Sequence, residues 1–341
     1  MGSFLVEFFE LKVMTSITKE KQIEETKESE KSDQTKKILL SPDKDSVQVG
    51  RLRLQWNKQL ELMPNDNNSL KDMPLLREIA NKSTQAEANK KTKMHFERGC
   101  YVYYMHAKIE LSKTGYIYLQ NYIPKDLIVK ARNSIAKALH NTFGIIQTSA
   151  EHKIDDLYIK QDCNGVLLTG FKPITHAPEV LSVVHCKELV SLFRGLLDCH
   201  DIVTYDSKWL RIKGTNEYTE EHCDYYRFIN GWNQLYTCWI PLMDIPFNRG
   251  GLAVCDQSHL LADFDEATDT VNEELPPSFT EYCKKSTTVW KTSNYAEGDV
   301  LIFDIRLIHA SLVNTCDRFR VSIDTRWQPL KYASFEQNIR F

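Results

Sequence analysis

The segment Arg320-Val-Ser-Ile-Asp-Thr-Arg-Trp327 alternates without a break. Phe319, Val321, Ile323 and Trp327 fall on one side, and Arg320, Ser322, Asp324 and Arg326 on the other. Successive side chains of a strand point to opposite faces. A chain carrying this segment must therefore bury one apolar face and give a row of four polar groups, three of them charged, either to water or to a polar cavity. An open sheet leaves such a row in solvent, whereas a closed double sheet can turn it inward. Just before it, Gly298-Asp-Val-Leu-Ile-Phe-Asp-Ile-Arg-Leu-Ile-His309 reads as a Gly-Asp turn, an apolar strand and a histidine at the strand's end.

Upstream lies His222-Cys-Asp224, whose i, i+2 spacing puts an imidazole and a carboxylate on one face of a strand, with Cys223 pointing away from both. Two histidines and one carboxylate that leave coordination positions open form the facial triad of non-haem Fe(II) oxygenases. His309 can supply the second imidazole, and Arg320 follows it by eleven residues. A guanidinium there can form a bidentate, charge-assisted pair with a carboxylate, and Ser322 on the same face can add a hydroxyl.

This combination resembles the phytanoyl-CoA dioxygenase (PhyH) family of Fe(II)/2-oxoglutarate-dependent oxygenases. The resemblance spans roughly residues 110–329. It includes Thr114-Gly-Tyr-Ile-Tyr-Leu119, Trp239-Ile-Pro-Leu-Met-Asp244, the Gly250-Gly-Leu-Ala-Val254 turn leading to Ser258-His259, and the closing block quoted above. It implies a mainly β fold with flanking helices, a double-stranded β-helix (jelly roll, cupin-like). It implies Fe(II) on His222, Asp224 and His309, 2-oxoglutarate anchored through its far carboxylate by Arg320 and Ser322, and O2 as the oxidant. The expected reaction is oxidation, foremost hydroxylation, of an unactivated C–H bond in a small organic substrate, with release of succinate and CO2. Desaturation or oxidative cyclisation with the same machinery is the alternative outcome, and a catalytically silent barrel serving as a binding module is the alternative role. Related halogenases replace the iron-binding carboxylate by a small residue, so Asp224 points to an oxidative product instead.

Trp209, Arg211, Trp239, Asp324 and Arg326 are candidate substrate contacts. Asp324 and Arg326 could equally form an internal ion pair, and Trp209 and Arg211, alternating just ahead of the triad, could be structural. Trp239 and Tyr236 could line one cavity or lie on opposite faces. His259 is expected to stabilise the turn after the Gly-Gly hairpin.

The rest of the chain sets the frame. Residues 1–99 form a charged extension in which the Lys-, Glu-, Ser- and Thr-rich stretch from about Ser16 to Ser46 has too few large apolar groups to offset chain entropy. Leu52, Leu54 and Trp56 alternate as a short strand or docking arm, and Asp72-Met-Pro74 looks like a helix start. Residues 100–341 form the oxygenase-like domain, opening with Tyr116-Ile-Tyr-Leu-Gln as a strand. Two helical regions follow, from Pro124 and from Pro178 to Cys199, and beyond Asp201 come short strands. With 42% hydrophobic residues among 341, the chain can bury a substantial core. A net charge of -3 gives no electrostatic case for nucleic acid, and no window reaches the roughly eighteen uninterrupted apolar residues of a membrane span. Nine cysteines without a C-x-x-C pair argue against a disulfide framework or zinc ribbon and suit a reducing compartment. The expected location is cytoplasmic, with a peroxisomal one allowed, although Ile-Arg-Phe at the C-terminus is no peroxisomal tripeptide.

Overall fold

A computed structural model describes residues 46–55, 59–63, 104–149, 151, 153–228, 234–264, 275–333 and 338–341. The expected helix start at Asp72 and most of the charged extension lie outside the described residues.

The strands are β1 (Ser46–Val49), β2 (Leu52–Gln55), β3 (Leu60–Leu62), β4 (Tyr116–Leu119), β5 (Val166–Thr169), β6 (Ile202–Tyr205) and β7 (Trp209–Lys213). They continue with β8 (Tyr236–Pro241), β9 (Leu252–Cys255), β10 (Trp290–Thr292), β11 (Val300–Asp304), β12 (His309–Ser311), β13 (Arg320–Pro329) and β14 (Asn338–Arg340). The larger sheet runs β14-β6-β13-β8-β11-β4, with β7 also on β13 and β5 beyond it. The smaller runs β12-β9-β10-β3, and every pairing is antiparallel except β10 with β3. From β7 onward the chain passes back and forth between the sheets, with His222 bridging His309 at the smaller one. This is the winding of a double-stranded β-helix.

The long strand β13 organises the larger sheet. Arg320 to Asp324 pair with β7, Trp327 to Pro329 with β6, and Ser322 to Trp327 with β8 on the other side. Every residue of β13 is buried, including Arg320, Ser322, Asp324 and Arg326. Val321, Ile323 and Trp327 join the hydrophobic core, where Trp327 stacks on Phe193 at 4.7 Å between ring centroids. The opposite row therefore faces the space between the sheets, and closure of the sheet explains how a charged row can be buried.

The Gly-Asp turn ahead of β11 has a specific task. Gly298 takes φ +93°, and a Cβ there would come within 2.7 Å of the Ile123 carbonyl oxygen, so only glycine fits. Asp299 then accepts hydrogen bonds from the Tyr118 hydroxyl (2.6 Å) and the backbone amides of Asn121 (2.8 Å) and Ala296 (2.9 Å). That clamps edge strand β4 to β11.

The helical layer follows the expected apolar spacing. The helix Lys125–Ala138 starts directly after Pro124, carries Asp126 in its first turn and Lys137 in its last, as the helix dipole favours, and buries Ile128, Ala131, Ile135 and Ala136. The stretch read as one helical region from Pro178 to Cys199 is two helices, Pro178–Val184 and Lys187–Leu197. The break falls at Cys186, whose extended backbone (φ -61°, ψ 152°) lets a second amphipathic face turn toward the sheet.

Residues 46–55 and 59–63 lie in the stretch assigned above to the extension, yet they belong to the same compact unit, Ser46–Phe341. β3 adds to the smaller sheet, and the β1–β2 hairpin reaches the triad loop. Among the described residues no helix is long and apolar enough to cross a membrane.

Candidate active site

The two histidines meet through backbone pairing. The amide of His222 donates to the His309 carbonyl at 2.9 Å and that of His309 to the His222 carbonyl at 2.8 Å, leaving the imidazole centroids 4.1 Å apart. Asp224, two residues on, turns back to the same point, and the three potential ligand atoms lie within 4.8 Å of one another. Among the described residues this is the one group of three or more His, Cys, Asp or Glu side chains so disposed.

The hydrogen bonds around these groups leave the right atoms free. Nδ1 of His222 lies 2.8 Å from the Glu220 carbonyl and Nδ1 of His309 lies 3.0 Å from the Leu307 carbonyl. A carbonyl can only accept, so both Nδ1 atoms carry the proton and both Nε2 atoms offer a lone pair. Burial, with His309 alongside, pushes His222 down to about 3, and burial also lowers His309, so both rings stay neutral. Asp224 accepts from the Thr237 hydroxyl (2.6 Å) and from Arg326 (2.8 Å), both on Oδ2. Its burial would raise the carboxyl's pKa, but the Arg326 guanidinium, together with the Thr237 hydroxyl, holds it well below the usual range. Two neutral imidazoles and one ionised carboxylate are the donor set of a facial triad for a divalent metal such as Fe(II).

The inward row of β13 continues from this point. Cross-strand register places Arg326 opposite Thr237, Asp324 opposite both Trp209 and Trp239, Ser322 opposite Arg211, and Arg320 opposite Lys213. Arg211 donates to Asp324 through Nε (2.8 Å) and a second nitrogen (3.2 Å). Arg326 donates to Asp324 at 2.6 Å as well as to Asp224. The result is an alternating line, Arg211, Asp324, Arg326, Asp224, in which two cations balance two anions. Burial opposes ionisation of Asp324, but the two guanidinium groups outweigh it and hold that carboxyl low. Asp324 and Arg326 thus form an internal ion pair. The Arg326 guanidinium also lies 4.3 Å over the Trp209 ring, which positions Trp209 as its platform.

Arg320 is different. It is 1% exposed, bonds the Gly250 carbonyl (3.1 Å) and Ser322 Oγ (2.6 Å), and has no carboxylate partner among the described residues. Burial, then repulsion from Arg211, pulls it down to about 10. Ser322 Oγ also accepts from Trp239 Nε1 at 3.1 Å. Both of its lone pairs are engaged, so its own proton is available to donate. Trp239 therefore stands at the Arg320 end of the row, and Tyr236, opposite Trp327 in register, lies on the other face of β8.

A family model described as Phytanoyl-CoA dioxygenase (PhyH) matches residues 112–322. The chain belongs to the phytanoyl-CoA dioxygenase family. As a member of this family of Fe(II)/2-oxoglutarate-dependent oxygenases it takes iron and 2-oxoglutarate, with His222, Asp224 and His309 as the candidate facial triad. The non-heme alpha ketoglutarate dependent epimerase SnoN of nogalamycin biosynthesis, solved with Fe3+, alpha ketoglutarate and nogalamycin RO, is 17% identical. The match covers 66% of this chain and 83% of that one with a TM-score of 0.50. The carbocyclase SnoK of the same biosynthesis is 18% identical over 66% of this chain and 83% of its own (TM-score 0.48). EctD from S. alaskensis, in its apoform, is 16% identical over 68% and 79% (TM-score 0.49). At these identities the likeness is one of fold. A search of curated proteins found no match.

Three contributors escaped the sequence reading. Thr237 holds Asp224 but sits thirteen residues away, with no motif around it. Glu221, buried directly before His222, accepts from the backbone amide and Nε of Arg51, both at 3.0 Å. Gly50 donates to the Ser311 carbonyl at 2.9 Å, so the β1–β2 hairpin tip braces both β12, which carries His309, and the segment that carries His222. His259 bonds the Ser112 carbonyl at 3.0 Å and packs under Gly115, a structural role at the start of β4.

Proposed function

We propose that this protein is an Fe(II)- and 2-oxoglutarate-dependent oxygenase that hydroxylates an unactivated C–H bond of a small organic substrate, releasing succinate and CO2. The observation that carries the reading is Arg320: a buried guanidinium with no carboxylate partner among the described residues, on the inward row of β13 whose Arg326 holds the triad's Asp224. A buried charge left unpaired costs several kcal/mol, so the site is built for an anion that arrives with the ligand. The far carboxylate of 2-oxoglutarate suits it, with the Arg320 guanidinium and the Ser322 hydroxyl both available to donate.

His222, Asp224 and His309 would hold the metal through two Nε2 atoms and one carboxylate oxygen. Bound together, iron and 2-oxoglutarate supply O2 activation coupled to decarboxylation of the cosubstrate. The chain's own part is to orient and to keep water out. The Nδ1 protons on Glu220 and Leu307 fix the imidazole planes, Thr237 and Arg326 fix the carboxylate, and the Trp239 indole presses Ser322 into a donor role. No protein acid or base is called for.

The test is turnover: the purified protein with Fe(II), 2-oxoglutarate and O2, offered a panel of small molecules, should form succinate in step with a product one oxygen heavier. A product lighter by two hydrogens would instead mark desaturation or ring closure. A folded, metal-loaded protein that forms no succinate with or without substrate would contradict the reading.

A further inference from the structure

The line of alternating charge beside the triad points to a second requirement of the site, resting on the function proposed above. Asp224 offers two oxygens, and a carboxylate left to itself can bind a metal through one or both. Here Oδ2 is engaged twice, by the Thr237 hydroxyl at 2.6 Å and the Arg326 guanidinium at 2.8 Å, while Oδ1 has no hydrogen bond among the described residues. Arg326 cannot easily leave. It is 1% exposed, its other terminal nitrogen is tied to Asp324 at 2.6 Å, and Asp324 is itself held by Arg211. Among the described residues its Nε has no hydrogen-bond acceptor, and the guanidinium carbon lies 4.3 Å over the Trp209 ring.

We propose that Arg326 is a positioning residue that keeps Asp224 a one-oxygen ligand and so reserves a coordination position on the metal for 2-oxoglutarate. A facial triad is useful because three positions stay open, and a second oxygen from Asp224 would take one of them. A bidentate cosubstrate needs two adjacent positions and O2 a third, so loss of one strikes cosubstrate binding before metal binding. Arg326 and Asp324 act through Asp224, without touching substrate. The arrangement also divides the charge. Asp324 shares Arg326, so the cation does not fall undiminished on Asp224 and compete with the metal.

The experiment separates metal affinity from cosubstrate affinity. Mn(II) binding, followed by the loss of the free-ion resonance, and 2-oxoglutarate binding to the Mn(II) form, followed by calorimetry, are measured on the full chain. Wild type is compared with Arg326→Met, Arg326→Lys and Thr237→Val. In Arg326→Met, Mn(II) affinity is expected to stay within about threefold of wild type or to tighten. Its 2-oxoglutarate affinity is expected to fall by about tenfold or more, the scale on which groups orienting a metal ligand act. Arg326→Lys, which restores one donor, should recover part of that loss. Thr237→Val, which removes the other bond to Oδ2 and leaves the guanidinium, should show the same split more weakly, and it answers the question should the arginine variants not fold. Parallel loss of both affinities would reduce Arg326 to a structural support and overturn the proposal, as would unchanged binding of both ligands. Wild-type protein that binds Mn(II) but no 2-oxoglutarate would instead overturn the function on which the proposal rests.

Discussion

Replacing Arg320 by methionine should weaken the cosubstrate complex and leave the empty protein as stable as before, or more so. The buried guanidinium has no carboxylate partner among the described residues, where it makes two neutral-partner bonds, to the Gly250 carbonyl and Ser322 Oγ. Losing those bonds costs about 1–3 kcal/mol. Removing an unpaired buried charge returns a similar or larger amount, because its desolvation penalty is several kcal/mol. The two effects nearly cancel, with the balance toward stabilisation. With 2-oxoglutarate present the sign reverses. A carboxylate whose buried partner has been removed costs about 3–5 kcal/mol, which at about 1.4 kcal/mol per tenfold is a loss of about 100-fold to a few thousand-fold in affinity. The lower end is expected, since Ser322 keeps its hydroxyl. Thermal unfolding with and without 2-oxoglutarate, in the presence of Mn(II), reads both halves. Ligand at 100 times its dissociation constant stabilises wild type by about 2.7 kcal/mol, and Arg320→Met should lose that shift while its ligand-free midpoint holds or rises. A variant that binds 2-oxoglutarate within threefold of wild type, or whose ligand-free form is destabilised by more than about 2 kcal/mol, would refute the reasoning.

Three further outcomes are expected. His309→Ala should abolish metal binding and turnover together, since it removes one of the three ligands, and equilibrium dialysis against Mn(II) checks it. Ser322→Ala should cost about 1 kcal/mol of 2-oxoglutarate binding, roughly five- to tenfold, and should also lower the melting temperature because the buried Trp239 indole N–H loses its acceptor. Gly50→Ala should detach the β1–β2 hairpin, because Gly50 takes φ +56° and a Cβ would come within 2.6 Å of the Glu221 carboxylate. Faster proteolysis of the hairpin, with weaker metal binding, is the expected result.

The alternation from Phe319 to Trp327 carried most of what could be read from the chain. It announced a strand with one greasy and one charged face, and His222, Asp224 and His309 showed why the charged face should turn inward. The spacing rules that reveal a strand act within one segment, but the partners of a strand do not. That Arg326 stands opposite Thr237, and that both reach the same oxygen of Asp224, follows from the register of β13 on β8, which depends on residues about ninety positions apart. The charge pattern was visible while its pairing was not, so Asp324 and Arg326 could be read as substrate contacts or as an ion pair. The alternation of Leu52 and Leu54 matched β2, but β1, β3 and the reach of the hairpin around Gly50 to the triad were hidden for a similar reason. Four-residue strands next to a long polar stretch carry little periodic signal, and β3 pairs in parallel with β10, far along the chain. The break at Cys186 was obscured because the apolar spacing continues through it from one helix into the next.

In the proposed function the triad and Arg320 together bind iron and 2-oxoglutarate at one site. The most direct measurement adds Fe(II) and 2-oxoglutarate to the purified protein without oxygen and records the visible spectrum, with His222→Ala as the comparison. A charge-transfer band of chelated 2-oxoglutarate is expected in wild type, absent from His222→Ala and reached only at much higher 2-oxoglutarate in Arg320→Met. A folded wild-type protein that takes up the metal and shows no band at saturating 2-oxoglutarate would contradict the proposed function.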